Sequence, residues 1–152
     1  MRRSTNPLSL DEQVCFALSV ASRTVIGCYR DVLEPLGLTH PQYLVMLALW
    51  ESDGLTLRGL SDVLRLEPAT VSPLVKRLEA AGLVRRDRRA GDDRAFSLTV
   101  TDEGRALRER ALAVPTTMLE RFDMDVTELE QVNRWLHDLI ERADRAHERT
   151  SA

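Results

Sequence analysis

Two periods of apolar residues alternate along the chain, one of about 3.6 and one of about two, and each change of period marks an element boundary. Val14, Leu18, Ala21, Val25, Val32 and Leu33 recur at helical spacing behind Ser9-Leu10-Asp11-Glu12, a capping-box pattern. They predict a helix over about 9–34, ended by Glu34-Pro35-Leu36-Gly37, with Met1 to Leu8 a loose arm ahead of it. Thr39-His40-Pro41-Gln42 is a second capping box. It opens a strongly apolar helix from Tyr43 to Trp50, expected to be buried, which Asp53-Gly54 stops.

The stretch from Thr56 to Gly104 reads helix, helix, strand, turn, strand. Leu57 to Leu64 repeats leucine and valine at three and four residues. Pro68 suits the first turn of the next helix and Gly82 the position just past its end. Val71, Leu74, Val75 and Leu78 gather on one face at about 100° per residue. Ala69, Pro73 and Lys76 fall opposite, flanked by Thr70, Ser72 and Arg77. Leu83 to Arg89 is a strand with a heavy positive load, Ala90-Gly91-Asp92-Asp93-Arg94 is a turn signal, and Phe96 to Val100 alternates as a second strand.

Two helices followed by a hairpin with an arginine at its tip predict a winged helix-turn-helix. The small, hydroxylated and basic outer face of the second helix suits DNA. Small residues admit the backbone, hydroxyls reach phosphates or base edges, and Lys and Arg neutralise phosphates or read guanine. The candidate DNA contacts are Pro68, Ala69, Thr70, Ser72, Lys76 and Arg77 on the helix, with Arg86, Asp92 and Arg94 on the hairpin. Arg94 could enter an A·T-rich minor groove, with Asp92 or Asp93 holding its fork through a bidentate pair. An ordinary solvated helix face would explain the helix residues alone; the basic hairpin is what argues for DNA.

Towards the end of the chain, Thr101 caps a helix through Arg105, Leu107, Ala111 and Leu112, where Pro115 should kink or break it. Asp125-Val126-Thr127-Glu128 caps the last helix, with a stripe of Leu129, Val132, Trp135, Leu136, Leu139, Ile140 and Ala143. That stripe is wide for a terminal helix, and with the first helix it predicts a dimer interface.

Composition adds charge placement and exclusions. The 152 residues carry a net charge of −3. From Thr56 to Arg94, nine basic side chains face six acidic ones, which leaves −6 for the rest: a basic lobe on an acidic body, as a reader docking by one face would have. No run is apolar enough to span a membrane and no signal-peptide pattern is present, so a cytoplasmic location and reduced cysteines are expected, with no membrane partner. Zinc spacing, a phosphate-binding glycine loop and a nucleophile elbow are all absent from the sequence. No metal, no cofactor and no enzymatic activity are expected.

Asp92-Asp93-Arg94 followed by Val100-Thr101-Asp102-Glu103-Gly104 resembles the wing signature of the MarR family of repressors. Glu12 to Leu18, Leu36 to Thr39, Pro41 to Leu47, Leu49-Trp50-Glu51 and Pro73 to Val84 resemble the organic-hydroperoxide sensors within that family, the OhrR type. The match runs from about Leu10 to Leu112. It implies a mainly α fold with a small β-hairpin wing, in a MarR-like dimer on a palindromic operator in double-stranded DNA. Residues 1–152 are then a single domain, with the winged helix-turn-helix at about 56–104 and dimerisation helices at about 9–34 and 105–148.

The resemblance also gives Cys15, in the second turn of the first helix, a candidate redox-sensing role; by itself a lone cysteine reads as a small buried hydrophobe. A thiol of ordinary pKa is only about 3% thiolate at neutral pH, so a sensor needs donors aimed at the sulfur. OhrR-type sensors use tyrosines, and Tyr29 matches one such position. It lies 14 residues from Cys15, about 21 Å along a straight helix, so contact requires the other subunit. His40 and Ser19 stand where the family commonly has tyrosine; His40 can donate through a ring N–H, and more strongly if charged. The two-cysteine members carry a resolving cysteine near the position of Glu120, which this chain lacks, and Cys28 is too far along the helix to bridge. Oxidised Cys15 should stop at sulfenic acid, pair with a low-molecular-weight thiol, or go on to sulfinic acid.

Three functions follow. One is a repressor that leaves its operator when an organic hydroperoxide, the inducer, oxidises Cys15. Another is a MarR-type repressor released by a small aromatic or acidic ligand, with Cys15 structural. A one-cysteine thiol peroxidase is the third, and the basic wing argues against it.

Overall fold

The computed structural model describes residue 6 and residues 8–89 and 92–151, with backbone only at 89, 92–95 and 151. Its elements are α1 (Val14–Leu33), α2 (His40–Glu51), β1 (Leu55–Thr56), α3 (Leu57–Leu64), α4 (Pro68–Ala80), β2 (Val84–Arg89), β3 (Asp92–Val100), α5 (Asp102–Ala111), α6 (Val114–Phe122) and α7 (Val126–Ser151). They fall into two compact units, Met1–Ala113 and Val114–Ala152.

In the first unit the expected capping box at Thr39 forms in full: the Thr39 hydroxyl accepts from the Gln42 amide, and the Gln42 side chain accepts from the Thr39 amide. The helix it starts, α2, packs against α1, α3, α4, α5 and β3. Val45, Met46 and Leu49 lose all contact with solvent, and each such burial stabilises by about 1.5–3 kcal/mol. The other expected capping box, at Ser9, does not form. Leu10–Glu12 makes a single 3-10 turn, the Ser9 hydroxyl caps nothing, and Gln13 is extended (φ −86°, ψ 115°), so α1 starts only at Val14. Leu10 and the residues from Asp11 to Val14 are exposed, so no packing extends that turn into a helix.

The sheet has three antiparallel strands in the order β1-β3-β2, one more than the hairpin read from sequence. The extra strand is two residues long, too short for alternation to be visible; Leu55 pairs with Leu98 and Thr56 with Ser97. Between β2 and β3 the pairing runs from Val84↔Val100 to Arg88↔Phe96, with an irregularity before Arg89↔Asp92. Of the expected turn Ala90-Gly91-Asp92-Asp93-Arg94, the first two residues lie outside the described residues, and the other three belong to β3, which starts at Asp92 and not at Phe96 because the pairing with β2 continues to Arg89↔Asp92.

Helix α5 is seated on the base of this hairpin. Its cap Thr101 accepts from the Gly104 amide and donates to the Gly82 carbonyl at 2.6 Å, while the Trp50 indole donates to the Gly104 carbonyl at 3.0 Å. Gly104 has no room for a side chain: a Cβ there would run into the Leu83 carbonyl oxygen and lie 2.7 Å from Val100 Cγ1.

Within the second unit, α6 and α7 are joined by a turn in which Asp123 is left-handed (φ 51°). Pro115 sits in the first turn of α6, after the break that sequence led us to expect, because the missing N–H has no helical role there. The capping box at Asp125 and Glu128 forms with both bonds, at 2.8 and 2.9 Å.

Gly104→Ala should lower unfolding stability by about 1–3 kcal/mol in a denaturant titration, the scale of overpacking, and an unchanged midpoint would mean that α5 is not pressed onto the hairpin.

Candidate DNA interface and thiol site

Helix α3 ends at Arg65, which adopts a left-handed conformation (φ 52°) so that the Leu66 amide can return to the Ser61 carbonyl at 3.0 Å. On α4, Val71, Val75 and Leu78 are buried and Leu74 half-buried, as the apolar spacing requires. Pro68, Ala69, Thr70, Pro73, Lys76 and Arg77 are exposed together on the opposite side, and Ser72 is half-buried at its margin.

The two faces of the hairpin carry different arginines. Val84, Arg86 and Arg88 share a face with Val100, Leu98 and Phe96, because directly paired residues point to the same side. That face holds the buried residues Val84, Leu98 and Val100, and Arg86 Nε donates to Glu79 Oε2 of α4 at 3.0 Å. Arg86 thus ties the hairpin to the reading helix. On the other face Arg85 Nε donates to Asp87 at 2.8 Å; that bond and one from Thr99 hold the Asp87 carboxyl below its ordinary range. Arg94 and Asp92 belong to β3, while their side chains lie outside the described residues.

Cys15 is exposed in the first turn of α1, not the second, because the helix begins at Val14. Backbone N–H groups in that turn lack helical acceptors, and the positive end of the helix dipole is felt there. One turn on, Ser19 Oγ accepts from Arg23 Nη1 at 2.8 Å. Cys28 is a half-buried thiol. At the far end of α1, Tyr29 packs edge-on to His40 with ring centroids 5.1 Å apart and tilted to Tyr43 at 6.2 Å. Tyr43 was legible in the sequence only as a core residue, and its place in a three-ring cluster is a product of α1 crossing α2.

Burial sets the charge of this cluster. It raises the pKa of Tyr29 above 10.0, and burial followed by Tyr29's own charge raises Tyr43. Burial also lowers the pKa of His40 below its ordinary 6.5. At neutral pH the cluster therefore presents neutral hydroxyls and a neutral imidazole, donors without charge. Among the described residues no group of His, Cys, Asp and Glu could hold a metal ion, and no helix is long and apolar enough to cross a membrane.

A helix-turn-helix with a hairpin seated beside its second helix is the architecture of a winged-helix DNA-binding regulator. Comparison with known proteins carries this to a family. Residues 38–96 match the MarR family. The organic hydroperoxide resistance transcriptional regulator of Bacillus subtilis (strain 168) is 34% identical, over 93% of this chain and 96% of its own. Reduced AbfR bound to DNA, from the AbfR of Staphylococcus epidermidis, superposes with a TM-score of 0.79 at 31% identity, covering 90% of this chain and 94% of that one. CouR from Rhodococcus jostii RHA1 bound to p-coumaroyl-CoA gives a TM-score of 0.73 at 30% identity, with 87% and 94% covered. The chain belongs to the MarR family and is a DNA-binding transcriptional regulator.

His40 yields a prediction with a definite sign. Its folded pKa is depressed, so its contribution to stability is fully present above 6.5 and is lost as pH falls through the lower folded value. The thermal midpoint should therefore decline on the acid side of 6.5, and His40→Asn should flatten that part of the decline. Parallel profiles for the two proteins would contradict it.

Proposed function

We propose that the chain is a dimeric repressor that binds a palindromic operator and releases it when an organic hydroperoxide oxidises Cys15. One observation carries this reading. An exposed thiol in the first turn of α1 shares a continuous helix with Tyr29, at whose end neutral donors are already assembled. The two are about 21 Å apart along the helix, so the donors are suited to a thiol from a second chain. Single-chain exposure supports a dimer as well: Val14, Phe16, Val20, Val25 and Ile26 of α1 are exposed, and so are Val132, Trp135 and Ile140 of α7. A second copy of the chain would cover them.

The chemistry balances without a cofactor. The Cys15 thiolate attacks the terminal oxygen of the hydroperoxide; an S–O bond forms as the O–O bond breaks. Sulfur is oxidised by two electrons to the sulfenic acid, and the departing alkoxide takes the hydroxyl proton of Tyr29 of the partner subunit, which water then restores, to leave as the alcohol; the neutral imidazole of the partner's His40 donates only a hydrogen bond. A polar oxygen, or a low-molecular-weight thiol joined to it, then sits at a packed interface. That can alter the spacing of two reading heads that must fit grooves about 34–36 Å apart. In each head α4, through Pro68, Ala69, Thr70, Ser72, Lys76 and Arg77, would face the major groove. Arg94 and Asp92 of the wing would be its DNA contacts, Arg94 in the minor groove, and Arg86 would brace the wing. A cytoplasmic location fits both a reduced resting thiol and the DNA partner.

CouR, a neighbour in complex with p-coumaroyl-CoA, favours a second reading: a small aromatic or acidic ligand packs on the Tyr29–His40–Tyr43 rings, and Cys15 is structural.

Cys15→Ser separates the two. It should bind operator like the reduced wild type in a gel shift and stay bound when an alkyl hydroperoxide is added, whereas wild type should leave. Equal release by both proteins would remove Cys15 from the switch and transfer the function to a ligand.

A further inference from the structure

Asp53 lies in the turn between α2 and β1, and its carboxylate holds three elements at once. Oδ1 accepts from the Val100 amide at 2.9 Å and from the Gly54 amide at 3.0 Å. Oδ2 accepts from Arg105 Nη2 of α5 at 3.1 Å. Strand β1 pairs with β3 through Leu55↔Leu98, and the Gly54 amide also reaches the Leu98 carbonyl at 3.0 Å. One step further the backbone turns away at Gly54 (φ 83°), so no main-chain acceptor is left to meet Val100. The Asp53 carboxylate takes that place and extends the ladder by one rung to the last residue of β3.

Val100 is the last residue of β3, at the base of the wing. Strand β3 runs nine residues from Asp92 to Val100, about 27 Å at about 3.4 Å per residue, so a tilt of a few degrees at its base moves the tip by on the order of 2 Å. Asp53 also follows directly on α2, whose first turns carry His40 and Tyr43 of the ring cluster and whose last turn carries Trp50, bonded to Gly104 of α5. One rigid helix therefore joins the ring cluster to the seat of the wing. Asp53 is exposed and water screens its pairing with Arg105, so the part-buried bond it accepts from the Val100 amide is the one whose loss should free the base of β3.

We propose that Asp53 is the positioning residue that seats the wing on α2 and α5 and so sets where Arg94 meets DNA. The inference rests on the reading of Arg94 as a wing contact. The seating itself is measurable without DNA.

The test uses the whole 152-residue chain carrying Asp53→Ala, Asp53→Asn and Arg94→Ala, singly, with Asp53→Ala and Arg94→Ala also combined. Amide hydrogen exchange at Val100 should be faster in Asp53→Ala and near wild type in Asp53→Asn, whose side-chain oxygen can still accept from Val100. Unchanged exchange in Asp53→Ala overturns the proposal whatever the wing does on DNA. In operator titrations Asp53→Ala should lose about tenfold in affinity, the scale of one charge-assisted hydrogen bond, and Asp53→Asn should recover part of it. Arg94→Ala should lower the slope of log affinity on log salt by about 0.9, the loss of one phosphate contact. The same change in the Asp53→Ala background should cost far less, because an unseated wing has little contact left to lose. Simple addition of the two losses overturns the role of Asp53 on DNA. A slope unchanged by Arg94→Ala alone, with faster Val100 exchange in Asp53→Ala, would remove the wing contact and leave the seating in place.

Discussion

Everything in the first unit leans on the burial of α2. Its residues are apolar on nearly every side, and it packs against α1, α3, α4, α5 and β3. A helix gripped on so many faces cannot shift at one end without pressing on the elements at the other. Its N-terminal end holds His40 and Tyr43 against Tyr29, and its C-terminal end leads through Trp50 and Asp53 to the wing. Protein interiors repack between discrete arrangements more readily than they deform continuously, and α2 is a buried rod of that kind between the ring cluster and the wing.

A second constraint is the length of α1. Cys15 and Tyr29 are both part of one uninterrupted helix, and the rise of that helix keeps them apart. A sensing site made of these residues has to be completed by another chain. In the function proposed above, sensing and assembly are one problem: the second chain that covers the exposed apolar residues of α1 would also bring donors to the thiol. The neutral state of His40 fits this role, since a half-buried imidazole that donates an N–H needs no counter-charge.

Short-range signals carried most of the fold. The boxes at Thr39 and Asp125, the cap at Thr101 and the limits of α3 follow from a few neighbouring residues, and the structure has them where the sequence put them. Ser9 shows the limit of such signals: its box offers the right atoms, but with Leu10 exposed there is no packing to turn one 3-10 turn into helix. Functional readings blurred wherever they depended on register or distant partners. Arg85 and Arg86 look equivalent in the sequence, and only the pairing of β2 with β3 sends one to Asp87 and the other to Glu79. Asp53 read as a helix stop because the partners that give it more work, Val100 and Arg105, are far away in sequence.

The account stands on a thiol served by donors from the other chain, and hybrid dimers test that directly. A Cys15→Ser chain and a Tyr29→Phe chain, purified as a hybrid through two different tags, leave one oxidisable Cys15, on the Tyr29→Phe chain. Its rate of oxidation by an alkyl hydroperoxide can be followed by mass spectrometry. If Tyr29 acts across the dimer, this Cys15 faces the intact Tyr29 of the partner subunit and should oxidise at the wild-type rate per thiol. A rate as slow as that of the Tyr29→Phe homodimer would contradict the account, because the donor would then belong to the same chain as the thiol.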